Sequence, residues 1–272
     1  MKLGISSYAF GWAVSESRFT PDALLDFAVA HGVPVIQFGD HLPLHTLPAA
    51  ELDAFAARAR AASVEIEVGA RGLTSEHLAT QLAVCRRLGA RLLRFVIDAR
   101  GHEPGVDEVA GVIREALPAL EKAGVTLGIE NHDRFPCATL RRLMDDVASE
   151  HVGICLDTAN SLGAGEGIHE VLMHLAPVCV NLHVKDFAIA RLPYLMGFTV
   201  TGRCLGEGML PLGEVLETVA PHGRCGTVVV ETWPPPEADM AATLEKETDW
   251  AVRSVRVLRA ALENLTTSTT IA

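Results

Sequence analysis

The feature that most constrains this chain is an alternation of eight short β-type runs with longer helix-type runs, repeated from one end to the other. The β-type runs fall at residues 3–7, 34–38, 64–68, 92–97, 125–130, 152–156, 178–183 and 227–231. Alternation of this kind calls for parallel strands joined by crossover helices, because a parallel pair cannot be closed by a tight turn. Several runs are almost wholly apolar, among them Val125-Thr126-Leu127-Gly128-Ile129 and Thr227-Val228-Val229-Val230. Strands read this way when helices cover the outside of a sheet and packed side chains fill the inside. Eight units shared over the chain give roughly 34 residues per unit, the spacing of an eight-fold α/β barrel. The expected fold is therefore of the α/β class, a single (β/α)8 TIM barrel over residues 1–265 with a polar tail at 266–272.

Local signals agree with this register. Thr20-Pro21-Asp22 and Thr74-Ser75-Glu76 read as helix starts, and Gly32, Gly89 and Gly124 as left-handed helix ends just before strands. One connection, from about Asp186 to Pro211, is unusually long and carries Tyr194, Met196, Phe198 and Gly206-Glu207-Gly208. It is too apolar for simple disorder and reads as a lid over the barrel mouth.

Composition narrows the partners. Hydrophobic residues make up 49% of the chain and charged residues 21%, enough for a large core without staples. A formal net charge of −11, with no long Lys/Arg run, makes nucleic acid a poor partner, and none is expected. Cys85, Cys137, Cys155, Cys179, Cys204 and Cys225 form no C-x-x-C pair, which suits reduced thiols. Met1 leads directly into a strand-like run and no apolar stretch reaches membrane-spanning length, so the expectation is a cytoplasmic protein with no membrane partner. Assembly as a homo-oligomer is left open, and no nucleotide-binding glycine loop occurs.

Four consecutive strand ends carry groups that can bind a metal: Glu130 in Gly128-Ile129-Glu130-Asn131-His132, Asp157 in Cys155-Leu156-Asp157-Thr158, His183 in Asn181-Leu182-His183-Val184-Lys185-Asp186, and Glu231 in Val229-Val230-Glu231-Thr232. In a parallel barrel these ends converge on one mouth. Any one of them alone is equally well read as a salt bridge or a helix cap. Together, three carboxylates on apolar strands would repel one another and resist desolvation, and a bound cation compensates for both. An O₃N donor set suits a divalent metal, Mn²⁺, Mg²⁺, Co²⁺ or Zn²⁺.

On these motifs, with Gly206-Glu207-Gly208, the chain resembles the sugar phosphate isomerase/epimerase family of the xylose-isomerase-like barrel superfamily, which also contains ketose 3-epimerases, inosose dehydratases and hydroxypyruvate isomerases. The resemblance implies that Glu130 and Glu231 ligate the metal and also serve as the acid/base pair, one on each face of the reacting carbon. Two departures touch substrate contacts. Epimerases of the family commonly carry a His three positions after the strand-six Asp, where this chain has Asn160, and many carry an Arg six positions after the strand-seven His, where it has Ile189 and, nearby, Arg191.

Further candidates for binding substrate are Lys185 and His132, each two residues beyond a ligand and so on the same strand face, Trp233, and Glu207 between its glycines. Each also reads as a paired, capping or packing residue. Arg71 and Arg94 could bind an anionic group, Arg94 being explained equally well by buried ion pairing within the barrel, His41 and His45 could line the mouth, and Trp12 with Phe10 could wall it.

The leading expectation is a metal-dependent isomerase or epimerase of a small sugar, keto-sugar or sugar acid, working in carbohydrate metabolism through an enediolate. The alternative is a lyase on the same scaffold, a dehydratase or a decarboxylase of a keto sugar acid, made credible by Asn160 and Lys185. An apurinic endonuclease would need more ligands and a less acidic surface, and a non-catalytic sugar-binding barrel would not need the four-residue set.

Overall fold

In the computed structural model, which describes residues 1–194 and 196–271, eight parallel strands close on themselves in the order β1-β10-β7-β6-β5-β4-β3-β2. They are β1 Lys2–Ser6, β2 Val35–Phe38, β3 Glu65–Arg71, β4 Leu92–Val96, β5 Thr126–Glu130, β6 Val152–Asp157, β7 Cys179–Val184 and β10 Thr227–Val230. Each coincides with a β-type run of the sequence to within a few residues at its ends. The helices are α1 Gly11–Ser15, α2 Pro21–His31, α3 Ala49–Ala61, α4 Ser75–Leu88, α5 Val106–Ala123, α6 Cys137–Val147, α7 Ile168–Leu175, α8 Leu212–Val219 and α9 Met240–Ile271. Strands β2, β6, β7 and β10 are buried at every position, as strands enclosed between packed interior and helical coat must be.

The helix punctuation works as the residues dictate. The Thr20 and Thr74 side chains accept hydrogen bonds from the Ala23 and His77 amides at 3.2 and 3.1 Å, capping α2 and α4. Gly32, Gly89 and Gly124 end α2, α4 and α5 at φ of 61°, 74° and 61°, where a Cβ would be strained. All six cysteines are buried and free of disulfides. Among the described residues no helix is long and apolar enough to cross a membrane.

The barrel interior is polar in its lower layer. Glu67 accepts from the Thr227 hydroxyl at 2.6 Å, from Gln37 at 2.9 Å and from Asn181 at 3.3 Å. Above it lies Arg94, whose side chain is wholly buried. Its room comes from Gly69, where a Cβ would stand 3.2 Å from the guanidinium and 2.5 Å from the Phe38 carbonyl.

Two segments differ from the sequence expectation. The connection after β7, read as a lid over the mouth, carries regular strands that the sequence reading did not assign. It folds as an antiparallel hairpin, β8 Asp186–Arg191 and β9 Phe198–Arg203. The period-two pattern of Phe187-Ala188-Ile189 against Thr199-Val200-Thr201 carries that signal, and the hairpin forms its own sheet outside the barrel. The last helix also runs on to Ile271, through most of the stretch read as a frayed tail. Ala272 lies outside the described residues.

The root of the hairpin is clamped by Asp186. Its carboxylate accepts four backbone hydrogen bonds, from Phe187 and Leu210 on Oδ1 at 2.8 and 3.0 Å and from Gly206 and Gly208 on Oδ2 at 2.8 and 2.9 Å. Gly208 lies so close that a Cβ would fall 2.1 Å from Oδ1, which accounts for the Gly-Glu-Gly spelling of the loop. Asp186→Ala leaves these buried donors unpaired and is expected to cost about 3 kcal/mol, with faster amide exchange concentrated in the hairpin. Chemical unfolding and hydrogen exchange check both.

A second prediction concerns Glu67. Burial outweighs the hydrogen bonds it accepts and pushes its carboxyl up from 4.5 to about 7. The folded state therefore holds a proton that the unfolded chain releases near pH 4.5, so this residue's contribution falls as pH rises from 4.5 to about 7 and is level above it. Between about pH 5 and about pH 8 the wild type should lose about 3 kcal/mol more stability than Glu67→Gln, in parallel denaturant titrations.

Candidate functional site

Strand register brings the four sequence-chosen groups to one height. Asp157 pairs with His183, Glu130 with Cys155, and Val230, just before Glu231, with Val184. All four side chains are buried at the C-terminal end of the barrel. His183 is the hub: its Nδ1 stands 3.4 Å from Glu231 Oε1, 3.8 Å from Asp157 Oδ2 and 4.0 Å from Glu130 Oε2. Glu231 Oε1 and both His183 ring nitrogens are buried without a partner, whereas Asp157 Oδ2 and Glu130 Oε2, also buried, meet charged nitrogens at 2.8 and 3.0 Å. Buried polar atoms are nearly always satisfied, so an unpartnered carboxylate oxygen and imidazole facing one another ask for a shared partner.

The spacing and chemistry fit a divalent cation. Ligand atoms of Asp157, His183 and Glu231 lie within 4.8 Å of one another, and so do those of Glu130, Cys155 and His183. Burial lowers the His183 pKa to about 4, helped by Arg94 and Lys185 against the pull of the carboxylates, leaving the neutral imidazole that a metal needs. Cys155 is a poorer donor, because burial pushes its thiol well up and keeps it protonated.

Two cations already sit against the carboxylates, which sequence spacing did not reveal. Lys185 Nζ is 2.8 Å from both Asp157 Oδ2 and Glu231 Oε2, and Arg94 Nε is 3.0 Å from Glu130 Oε2. Burial opposes ionisation of Glu231, but the His183 imidazole and the charges of Lys185 and Arg94 outweigh it and hold the carboxyl well below its usual range. Burial likewise works against charge on Lys185, yet Asp157, Glu231 and Glu130 raise its pKa well above the ordinary lysine value. Three carboxylates against two cations leave the cluster one charge negative.

A cavity of about 760 Å³ opens over this cluster. Lys185, Asn160 and Glu231 form its polar floor, and Tyr8, Trp12, Trp233 and the Pro234-Pro235-Pro236 run form an apolar wall. Trp12 is fixed by donating from Nε1 to the Pro234 carbonyl at 2.9 Å, while its amide and that of Ala13 donate to Glu247 of α9 at 2.7 and 3.0 Å. Val200, Thr201 and Gly202 of β9 close one side, with Gly202 so near the Trp233 backbone that a Cβ would stand 2.3 Å from its carbonyl oxygen.

The secondary candidates divide. Asn160, Lys185 and Trp233 line the cavity. Asn160 donates to Glu130 Oε1 at 2.8 Å and accepts from Lys185 at 3.4 Å, so one amide ties the carboxylate to the lysine. His132 instead pairs with its neighbour Asp133, Arg191 lies over the Phe198 ring on the hairpin, and Glu207 pairs with Arg253 of α9. None of those three lines the cavity. Phe10 packs against Phe19 and Phe27 in the core, and His45 contacts Gln81 and His77. Sequence reasoning missed Tyr8, Asp40 and Asn131. Asn131 accepts from the Asp157 amide at 2.6 Å and donates to its carbonyl at 3.0 Å, holding that ligand in place. Its position directly after Glu130 was the available signal.

Comparison with known proteins agrees with this geometry. The sequence model of the xylose isomerase-like TIM barrel family matches residues 25–261. The chain is 34% identical over 261 residues, 95% of each chain, to the 3-oxo-isoapionate decarboxylase of Pectobacterium atrosepticum. Among solved structures, a D-psicose 3-epimerase crystallised in the presence of D-fructose superposes with a TM-score of 0.74 at 14% identity, covering 96% of this chain and 99% of that one. A probable 3-DHS dehydratase from Bacillus anthracis superposes with a TM-score of 0.65 at 14% identity, covering 95% and 99%. At such identities the superpositions speak for the fold alone. With the family's sequence model spanning most of its length, its barrel closed as that fold requires and its strand-end motifs in the family's order, the chain belongs to the xylose isomerase-like TIM barrel family.

Proposed function

We propose that this protein is a metal-dependent lyase that decarboxylates a 3-oxo sugar acid, with Glu130, Asp157, His183 and Glu231 holding the metal. The observation that carries the reading is the convergence of three buried carboxylate oxygens on the unbonded Nδ1 of His183. The choice of reaction is supported by the full-length likeness to a decarboxylase.

Loss of carbon dioxide from a 3-oxo acid sends the electron pair of the breaking carbon–carbon bond toward the ketone oxygen, and the resulting enolate must then gain a proton at carbon. A divalent cation on this ligand set would supply positive charge beside the substrate oxygens as that negative charge builds. Lys185 presents a protonated Nζ at the cavity floor, where it can hold a substrate oxygen. Asn160 cannot exchange protons as an imidazole does. In this position it fixes Glu130 and Lys185 relative to each other, which favours a reaction needing one proton delivered over one needing a proton removed and returned. The apolar wall of Trp12, Trp233 and the prolines limits the water that reaches the enolate before it gains its proton.

A second reading, epimerisation or aldose-ketose isomerisation, is favoured by one observation: Glu130 and Glu231 both turn an oxygen toward His183, and two such carboxylates can serve the two faces of one carbon.

The metal-loaded protein is expected to release one carbon dioxide per molecule of 3-oxo sugar acid consumed. Solvent deuterium entering ketoses without carbon dioxide release would move the assignment to the epimerase reading. Chelation should abolish turnover, and one of Mn²⁺, Mg²⁺, Co²⁺ or Zn²⁺ should restore it, with the bound metal counted by elemental analysis. Glu130→Gln and Glu231→Gln should each lower kcat by about 10²-fold or more.

A further inference from the structure

The ends of β1 to β4 carry a second polar cluster at the same mouth, on the far side from Lys185. Asp40, just beyond β2, accepts from the Tyr8 hydroxyl at 2.7 Å and lies 3.5 Å from Arg71 Nε and 3.8 Å from Arg94 Nη1. Arg94 is committed on its other side to Glu130. Arg71, at the last position of β3, has a side chain 36% exposed, and among the described residues it makes no hydrogen bond beyond that loose ion pair. His41 packs on the Tyr8 ring, centroids 4.0 Å apart. Both of its ring nitrogens are buried without a hydrogen bond, the Ser7 backbone being near but outside bonding geometry. Burial lowers the His41 pKa, so the ring is neutral and keeps one unused donor and one unused acceptor. Tyr8, whose phenol burial and Asp40 keep protonated, reaches from this cluster into the cavity wall.

The charges decide which half of the mouth can take an anion. Around Lys185 two carboxylates already stand at 2.8 Å, with Glu130 behind them. A further carboxylate placed beside one of these would be repelled by it. On the β2–β4 side, with Arg94 committed to Glu130, Arg71 faces the one carboxylate of Asp40 in a loose pair at 3.5 Å, and its remaining donors are free and reached by solvent. We propose that Arg71, beside the buried, unbonded imidazole of His41, seats the carboxylate of an acidic sugar substrate and so selects sugar acids over neutral sugars of the same length. This rests on the metal-site reading above. A partly exposed guanidinium is well screened, so it orients the carboxylate without strongly stabilising the charge that decarboxylation removes.

Binding of a four-carbon aldonate and of the matching polyol to the metal-loaded protein, measured by calorimetry, tests this without needing turnover. Arg71→Gln should weaken aldonate binding by about 10- to 100-fold and leave polyol binding unchanged, and Arg71→Lys, which keeps the charge but loses the planar fork, should recover only part. The same variants should raise KM for a 3-oxo sugar acid with little change in kcat. If Arg71→Gln weakens both ligands alike or neither, the assignment is overturned; the second result would mean that the carboxylate is held by the metal. Failure of the wild type to release carbon dioxide would sink the decarboxylase reading and leave the aldonate-against-polyol comparison intact.

Discussion

Three carboxylates and one imidazole share a dry pocket at the end of a parallel barrel, and the cost of putting them there governs what surrounds them. Ionised carboxylates so near one another are unstable unless compensated, and two buried cations do part of that work. Arg94 needs Gly69 in order to fit, and Lys185 needs the end of β7 to place it over Asp157 and Glu231. The compensation stops one positive charge short. That deficit, with the unbonded atoms around His183, is the physical reason to expect a divalent ion rather than a purely proteinaceous charge network.

The same deficit gives the mouth two unlike halves. The half formed by β5 to β7 and β10 is crowded with acid and suited to positive charge. The half formed by β1 to β4 has a loosely paired, partly exposed guanidinium, an unbonded imidazole and a phenol. A polyhydroxylated acid, with oxygens at one end for a cation and a carboxylate at the other for an arginine, matches this division in a way that a neutral sugar does not.

Much of this could be read from the chain. The apolar strand runs end abruptly in Glu130, Asp157, His183 and Glu231, and the barrel rule places such ends together, so the convergence of these four groups followed from pattern alone. Lys185 was legible for the same reason, being two residues from His183 on one face. The misplaced expectations depended on partners distant in sequence. Nothing near Glu207 announces Arg253, and nothing near β4 announces that Arg94 will reach both Glu130 and Asp40. His132 was lost to its immediate neighbour Asp133, a local pairing that strand periodicity does not weigh. The hairpin went unread because its two strands lie within one connection and join no barrel partner.

Four residues at the end of β7 do three jobs at once. His183 faces the ligand cluster, Lys185 lies at the cavity floor, and Asp186 grips the root of the hairpin whose Gly202 abuts Trp233. The roof of the pocket is thus pinned to the backbone that aims two of its working groups. A change of hairpin sequence that altered its tilt would be transmitted to the floor within two peptide units, so the hairpin cannot drift independently of the chemistry beneath it.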